Sequence, residues 1–205
     1  MNFSIKGLFY RIFIDPLIGG LRRHVTSMIN PGEKVIDIAC GTGALSLSMA
    51  GRAGTVTGID LSEDMILTAR QMAGRRRVQN VTFGLLDATD LSCYGDSSFD
   101  VAVTTLSMHQ FDPETGIRVL QEMKRIAKRL IIADYNCPLR PGPAAWLSRS
   151  IERAAGGDHY RNFRTYMGRG GLNRLAAEAG LELTSQEERG EGVFIITEMS
   201  PLQTM

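Results

Sequence analysis

The chain has 205 residues, 43% hydrophobic and 22% charged, a composition that suits one folded domain with a sizeable core and excludes a disordered segment. Its 23 Lys and Arg against 22 Asp and Glu leave a formal charge of +1, without the basic excess of a general nucleic-acid binder. Cys40, Cys93 and Cys137 form no complete disulfide set and no C-x-x-C pair, so no bound metal is expected and a reducing, cytoplasmic setting fits; no run approaches the ~20 apolar residues of a membrane span, and Arg11 and Asp15 interrupt the apolar N-terminus of a would-be signal peptide.

In chain order, residues 1–30 are apolar and basic and suit one or two amphipathic helices, broken near Asp15-Pro16. Pro31-Gly32 makes a turn, and Val35 to Ala39 reads as a buried strand. Cys40-Gly41-Thr42-Gly43 is a tight turn, and a helix opens at 44–50. Thr55 to Asp60 is a β-branched strand. Ser62 is placed to cap a helix that carries Glu63 and Asp64 in its first turn and runs to about Ala73. Strands follow at Val81–Gly84 and Phe99–Thr105, then a helix over Pro113–Lys128 and a strand over Leu130–Asp134. Pro138, Pro141 and Pro143 mark a break. Residues 144–155 and 171–179 look helical, the second ended by Gly180, and residues 181–187 and 192–198 read as two closing strands. Alternation of this kind predicts a doubly wound, mostly parallel α/β sheet of seven strands, with an antiparallel pair at the end because no helix separates the last two. The domain division that follows is an N-terminal helical cap over 1–30 and a binding domain over 31–205, with a helical lid near 138–170.

The chemistry concentrates at Val35–Leu47, a strand, a glycine turn and a helix. Gly41 and Gly43 allow positive φ and close approach of a ligand to backbone, and free N–H groups of the following helix face whatever sits there. Asp60 ends the next strand, 17 residues past Gly43, where a carboxylate can accept from both hydroxyls of a ribose. Asp87 follows the third strand and opens on the same crevice. Asp37, inside the first strand, is expected to brace the turn by accepting backbone N–H groups, since a buried acid is costly without partners.

Asp37 to Gly43 resembles the D-x-A/G-C-G-T-G motif of the class I S-adenosylmethionine-dependent methyltransferases. Leu61 to Met65, Gly84 to Ala88 and Phe99 to Phe111 resemble later motifs of the same family, particularly its small-molecule branch, and the similarity covers roughly residues 30–135. The resemblance implies a Rossmann-like methyltransferase fold that binds S-adenosylmethionine and releases S-adenosylhomocysteine. It places Asp37, Ala39, Gly41 and Gly43 around the methionine part, Asp60 on the ribose, and Leu61 and Met65 against the adenine. Asp87 and the Ala88 N–H meet the adenine edge, Thr105 and Ser107 sit near the sulfonium, and Tyr10 lies near the cofactor if the N-terminal helix closes over it. Ala39 stands where many members have glycine. The glycine-rich turn usual before the fifth strand is missing, because Lys124 to Ile131 runs nearly straight from helix to strand.

A sulfonium methyl is already activated, so alignment of the acceptor is the main task and a general base is optional. His109, after the fourth strand, is the catalytic candidate; the alternative is a histidine that packs the loop. His159, with Tyr160, Arg161 and Arg164, forms a second cluster. Six Arg and two acids between Arg149 and Arg174 give that stretch +4, either as a lid that meets an anionic acceptor or as a solvated helical face. The N-terminal helix reads either as the cap or as a peripheral membrane contact suited to a lipid or quinone acceptor. The expected activity is methyl transfer to a small molecule of quinone, phospholipid or phenol type, by a monomer or homodimer and without nucleic acid. The alternatives are a nucleic-acid methyltransferase, against which Leu106-Ser107-Met108-His109 stands in place of an N/D-P-P-Y/F motif, and a non-catalytic S-adenosylmethionine-binding module. A nicotinamide enzyme is disfavoured, because Ser46 takes the place of the third glycine of G-x-G-x-x-G.

Overall fold

The computed structural model describes residues 15–201. Its centre is one seven-stranded sheet in the order β3-β2-β1-β4-β5-β7-β6. The strands are β1 (Lys34–Ile38), β2 (Thr55–Asp60), β3 (Val81–Leu85), β4 (Phe99–Thr105), β5 (Ala127–Tyr135), β6 (Leu181–Arg189) and β7 (Phe194–Pro201). β1 to β5 pair in parallel, while β7 pairs antiparallel with both β5 and β6. The doubly wound sheet and the antiparallel ending are thus as expected.

Both faces of the central strands are covered, and the sequence alternates accordingly. Ile36, Ile38, Ala102, Leu130 and Ile132 enter one core cluster, and Val35, Val101, Val103, Ile131 and Ala133 the other. The second face carries α1 (Asp15–Ser27), α2 (Ala44–Met49) and α3 (Glu63–Arg76); the first carries α4 (Pro113–Ile126) and α7 (Gly171–Glu178).

Local chemistry sets the helix ends. The Ser62 hydroxyl accepts from the Met65 N–H and caps α3 as expected. Asp112 caps α4 by accepting from the N–H groups of Glu114 and Thr115, ahead of Pro113. α4 stops at Ile126 and β5 starts at Ala127, whose extended backbone (φ −131°, ψ 150°) turns helix directly into strand. The direct passage read from Lys124–Ile131 is there, with the helix two residues shorter and the strand longer at both ends. β5 gains its extra length because Phe99 and Val101 of β4 pair with Ala127 and Arg129.

Two features differ from the sequence reading. The described part of the N-terminal segment is a layer of the fold: Leu21, Val25 and Ile29 are buried against Val35 and Ile131. Arg129 clamps this end by donating to the Met28 carbonyl and pairing with Glu33 and Glu198. From Leu21 to Ile29 the apolar side chains of this segment are therefore used inside the protein. The second difference is a further helix, α6 (Gly157–Arg169), between α5 (Pro143–Ala155) and α7. Gly156 and Gly157 at φ 71° and 54° let the chain reverse between α5 and α6 without a loop. Tyr10 and residues 1–14 lie outside the described residues.

Candidate functional site

The site gathers at the C-terminal ends of β1 to β5, where a doubly wound sheet opens its crevice. After β1 the chain turns through Ala39 at φ 55°, Gly41 at φ 53° and Gly43 at φ 72° before α2 begins. Gly43 has no room for a side chain: a Cβ there would lie 2.6 Å from the Phe83 ring and 2.9 Å from Ala69 Cβ. Around a Cβ at Gly41 there is nothing within 4 Å. One glycine lets the turn pack down on the sheet; the other leaves open space beside backbone.

Asp37 is buried, and its Oδ2 accepts from Ser46 Oγ at 2.5 Å. Burial pushes this carboxyl up to about 7, Ser46 partly offsets that through its hydroxyl and its N–H, and the Asp60 charge adds to the rise. The expected brace on the turn therefore runs chiefly through a serine side chain of α2. Asp60 binds the turn itself: Oδ2 accepts from the Gly41 N–H at 2.8 Å and Oδ1 from the Ser62 N–H at 2.9 Å. A carboxylate has about four acceptor positions, so two are used in aiming it.

Leu61, Met65 and Leu85 are large apolar side chains left 73%, 39% and 50% exposed around Asp60. Leu85 pairs with Asp60 across β2 and β3, which adds a residue that the sequence reading had not selected. Asp87 is exposed after β3, and its Oδ1 accepts from both the N–H and the hydroxyl of Thr89 at 2.8 Å; Ala88 beside it is half-buried. Thr105 ends β4, half-buried. Ser107 is turned inward: its hydroxyl lies 2.5 Å from Thr104 Oγ1, which donates to the Ile38 carbonyl.

His109 sits in a 3-10 turn, Met108–Gln110, and is only 2% exposed. Its Nδ1 lies 2.6 Å from Asp134 Oδ1, and its backbone N–H donates to Asp134 Oδ2. Its Nε2 faces Glu152 Oε1 at 3.6 Å. Glu152 also accepts from the Tyr135 hydroxyl at 2.8 Å and meets His159 Nε2 at 2.5 Å. Tyr135, Phe163 and Tyr166 surround the His109 ring. Burial disfavours the His109 imidazolium, but the charges of Asp134 and Glu152 and the Asp134 hydrogen bond outweigh it, so the imidazole is held above its usual range. For Glu152, burial works upward and is overcome by the His159 hydrogen bond and the neighbouring histidine charges, which leave it below the usual carboxylate range. Both histidines stand out in the sequence as candidates, and neither of their acids does. The available signal was Asp134 itself, an acid that ends an apolar strand and so demands a partner.

The arginine-rich stretch is less basic in three dimensions than in sequence. Arg169 and Arg174 both reach Glu178, and Arg161 pairs with Asp158. A hollow of about 440 Å³ on α6 is lined by Gly157, Tyr160, Arg161, Arg164 and Thr165. No helix among the described residues is long and apolar enough to cross a membrane.

Residues 29–168 match a family model described as a methyltransferase domain. An O-methyltransferase of Penicillium expansum, cnsE, is 36% identical over 130 residues, which is 59% of this chain and 47% of the relative. The demethylmenaquinone methyltransferase of Clavibacter sepedonicus is 32% identical over 112 residues, covering 54% and 44% respectively. The chain thus spans about half the length of the curated relatives it matches. Among solved structures, the PH0226 protein of Pyrococcus horikoshii OT3 superposes with a TM-score of 0.72 at 23% identity, over 98% of this chain and 100% of that one.

Proposed function

The chain belongs to the methyltransferase-domain family, and from that premise we propose that it is an S-adenosylmethionine-dependent methyltransferase acting on a small molecule of quinone or phenol type. The observation that carries this is the coupling of Asp60 to the glycine turn: one carboxylate is hydrogen-bonded to Gly41 N–H and Ser62 N–H. It stands beside open space at Gly41 and uncovered apolar side chains at Leu61, Met65 and Leu85. Carboxylate, bare backbone and exposed apolar walls fit a nucleoside joined to an amino-acid tail. Bound there, the cofactor supplies a methyl group already activated on a sulfonium sulfur.

The roles proposed for this chain's residues follow the strand ends. Gly41, Gly43 and Ala39 shape the bed for the amino-acid tail, with Asp37 holding the turn from below. Asp60 takes the ribose hydroxyls, Leu61 and Met65 the flat faces of the base, and Asp87 with Ala88 its edge. Thr105 and Ser107 lie toward the reacting end. His109 belongs to that end too: Asp134 fixes its tautomer, so Nε2 is the atom presented to Glu152 and to whatever enters between them. Residues 138–170 are proposed as the lid and 1–30 as the N-terminal cap. Alignment of an acceptor under such a lid can supply on the order of 7–11 kcal/mol of the barrier. The O-methyltransferase and demethylmenaquinone methyltransferase names of two relatives support an oxygen or quinone-ring acceptor.

The test is transfer of radiolabelled methyl from S-adenosylmethionine to a panel of phenols, quinols, phospholipids and thiols, with calorimetric titration of the cofactor in parallel. Saturable cofactor binding and label in a phenol or quinol support the proposal. Failure of the cofactor to bind at millimolar concentration overturns it.

A further inference from the structure

We infer that His109, Glu152 and His159 form a binding site for one divalent transition-metal ion of the zinc class. Spacing along the chain does not point to it, because the ligands come from three separate elements: the turn after β4, α5 and α6. Folding brings one ligand atom from each to within 4.8 Å of the others. An ion with metal–ligand distances of ~2.0–2.2 Å holds its ligand atoms roughly 3–4 Å apart. His109 Nε2 and Glu152 Oε1 already stand 3.6 Å apart. The Glu152–His159 contact, now a hydrogen bond at 2.5 Å, opens by about 1 Å to admit the ion.

The surroundings are those of a built metal site. Histidine ligands characteristically donate their second ring N–H to a carboxylate, which fixes the tautomer and raises ligand basicity. Asp134 does this for His109: Oδ1 accepts from Nδ1 at 2.6 Å, and the same carboxylate accepts from the backbone N–H groups of His109 and Tyr135. The other ring nitrogen, Nε2, is thereby turned toward Glu152. Glu152 is oriented in turn by the Tyr135 hydroxyl. Rings of Tyr135, Phe163 and Tyr166 line the His109 side and keep the local dielectric low. Two histidines and one carboxylate satisfy a borderline-soft cation and leave a fourth position for water. Since Glu152 and His159 sit on the two helices of the proposed lid, the ion would also staple those helices to the sheet.

The inference shares His109 and the proposed lid with the methyl-transfer reading, but it is tested without turnover. The full chain, stripped with a chelator and dialysed, is titrated with Zn²⁺ in competition with a chromophoric chelator. A second titration with Co²⁺ follows its visible d–d absorption. One equivalent of tight binding is expected, with nitrogen and oxygen ligation and no thiolate charge-transfer band. His159→Ala, whose side chain is 30% exposed and should leave folding intact, is expected to weaken binding tenfold or more, as is Glu152→Gln; Cys93→Ser leaves it unchanged. Circular dichroism confirms that each variant is folded. No stoichiometric uptake by the unmodified chain, equal affinity in His159→Ala, or loss of binding in Cys93→Ser each overturns the site. Cofactor calorimetry on the same samples separates the outcomes, because cofactor binding without metal uptake removes only this inference.

Discussion

Replacing Gly43 by alanine drives a methyl group into the Phe83 ring. The added Cβ would stand 2.6 and 2.8 Å from two ring carbons and 2.9 Å from Ala69 Cβ. Both neighbours are buried, so the chain must shift rather than a free side chain swing away. Overpacking of this kind costs about 1–3 kcal/mol. The φ of 72° adds about 1–2 kcal/mol for a left-handed alanine, less about 0.4–1 kcal/mol returned by the stiffer unfolded chain. The sum is about 1–5 kcal/mol out of a total stability of about 5–15 kcal/mol. With a urea slope of about 2–3 kcal/mol/M, the midpoint falls by about 0.3–2.3 M. Gly41→Ala is the control: it has φ 53° but no atom within 4 Å, so it lacks the overpacking cost and its midpoint moves by about 0.8 M at most. Its effect is read instead as weakened cofactor binding, because the methyl occupies space proposed for the ligand. Urea melts of the two variants decide the matter. Equal midpoints for Gly41→Ala and Gly43→Ala would refute the view that one glycine serves packing and the other binding.

Asp60→Ala is expected to weaken S-adenosylmethionine binding by about 1.5–3 kcal/mol in calorimetry, the range for hydrogen bonds to a charged group; unchanged affinity removes Asp60 from the site. His109→Ala should lower turnover much more than cofactor affinity, and an unaltered rate would leave the residue as packing. Asp37, facing Cys40 and Asp60 and hydrogen-bonded to Ser46, sets a pH dependence. Its folded value of about 7 lies above the unfolded 3.8, so the folded state holds the proton more tightly; its contribution is complete below pH ~4 and is lost as pH rises through 7, roughly 4 kcal/mol in all. Asp37→Asn keeps an acceptor for Ser46 and should flatten that decline between pH 5 and 8, as checked by urea midpoints of both proteins at about three pH values; parallel curves would count against it. Ala39→Gly relieves a left-handed alanine at φ 55° and should raise stability by about 0.5–1 kcal/mol in thermal melts, whereas a fall would show that the turn is not strained there.

Much of the fold was legible because its signals are local. Near-continuous apolar runs at Val35–Ile38 and Leu130–Asp134 mark strands buried on both faces, Ser62 and Pro113 mark helix starts, and the lack of a helix between residues 187 and 192 demands an antiparallel end. The glycine turn and Asp60 are legible for the same reason: consecutive strand ends of a parallel sheet open on one side, so spacing along the chain stands in for spacing in space. α6 escaped because Gly156-Gly157 and Gly170-Gly171 read as loop, and only Phe163 and Tyr166 of its residues are fully buried.

What tertiary structure alone decided is the cluster around His109. Asp134, Glu152 and His159 lie 25, 43 and 50 residues away in sequence, and no periodicity links them. Their meeting depends on how the two helices after β5 fold back over the strand ends. It also depends on the burial that makes an acid at the end of β5 require a partner. Phe83 shows the same division on the other face, for nothing in the sequence around Gly43 says that a ring 40 residues later will close over it. Backbone conformation is written in neighbouring residues, but a low-dielectric site forms only where distant segments exclude water together.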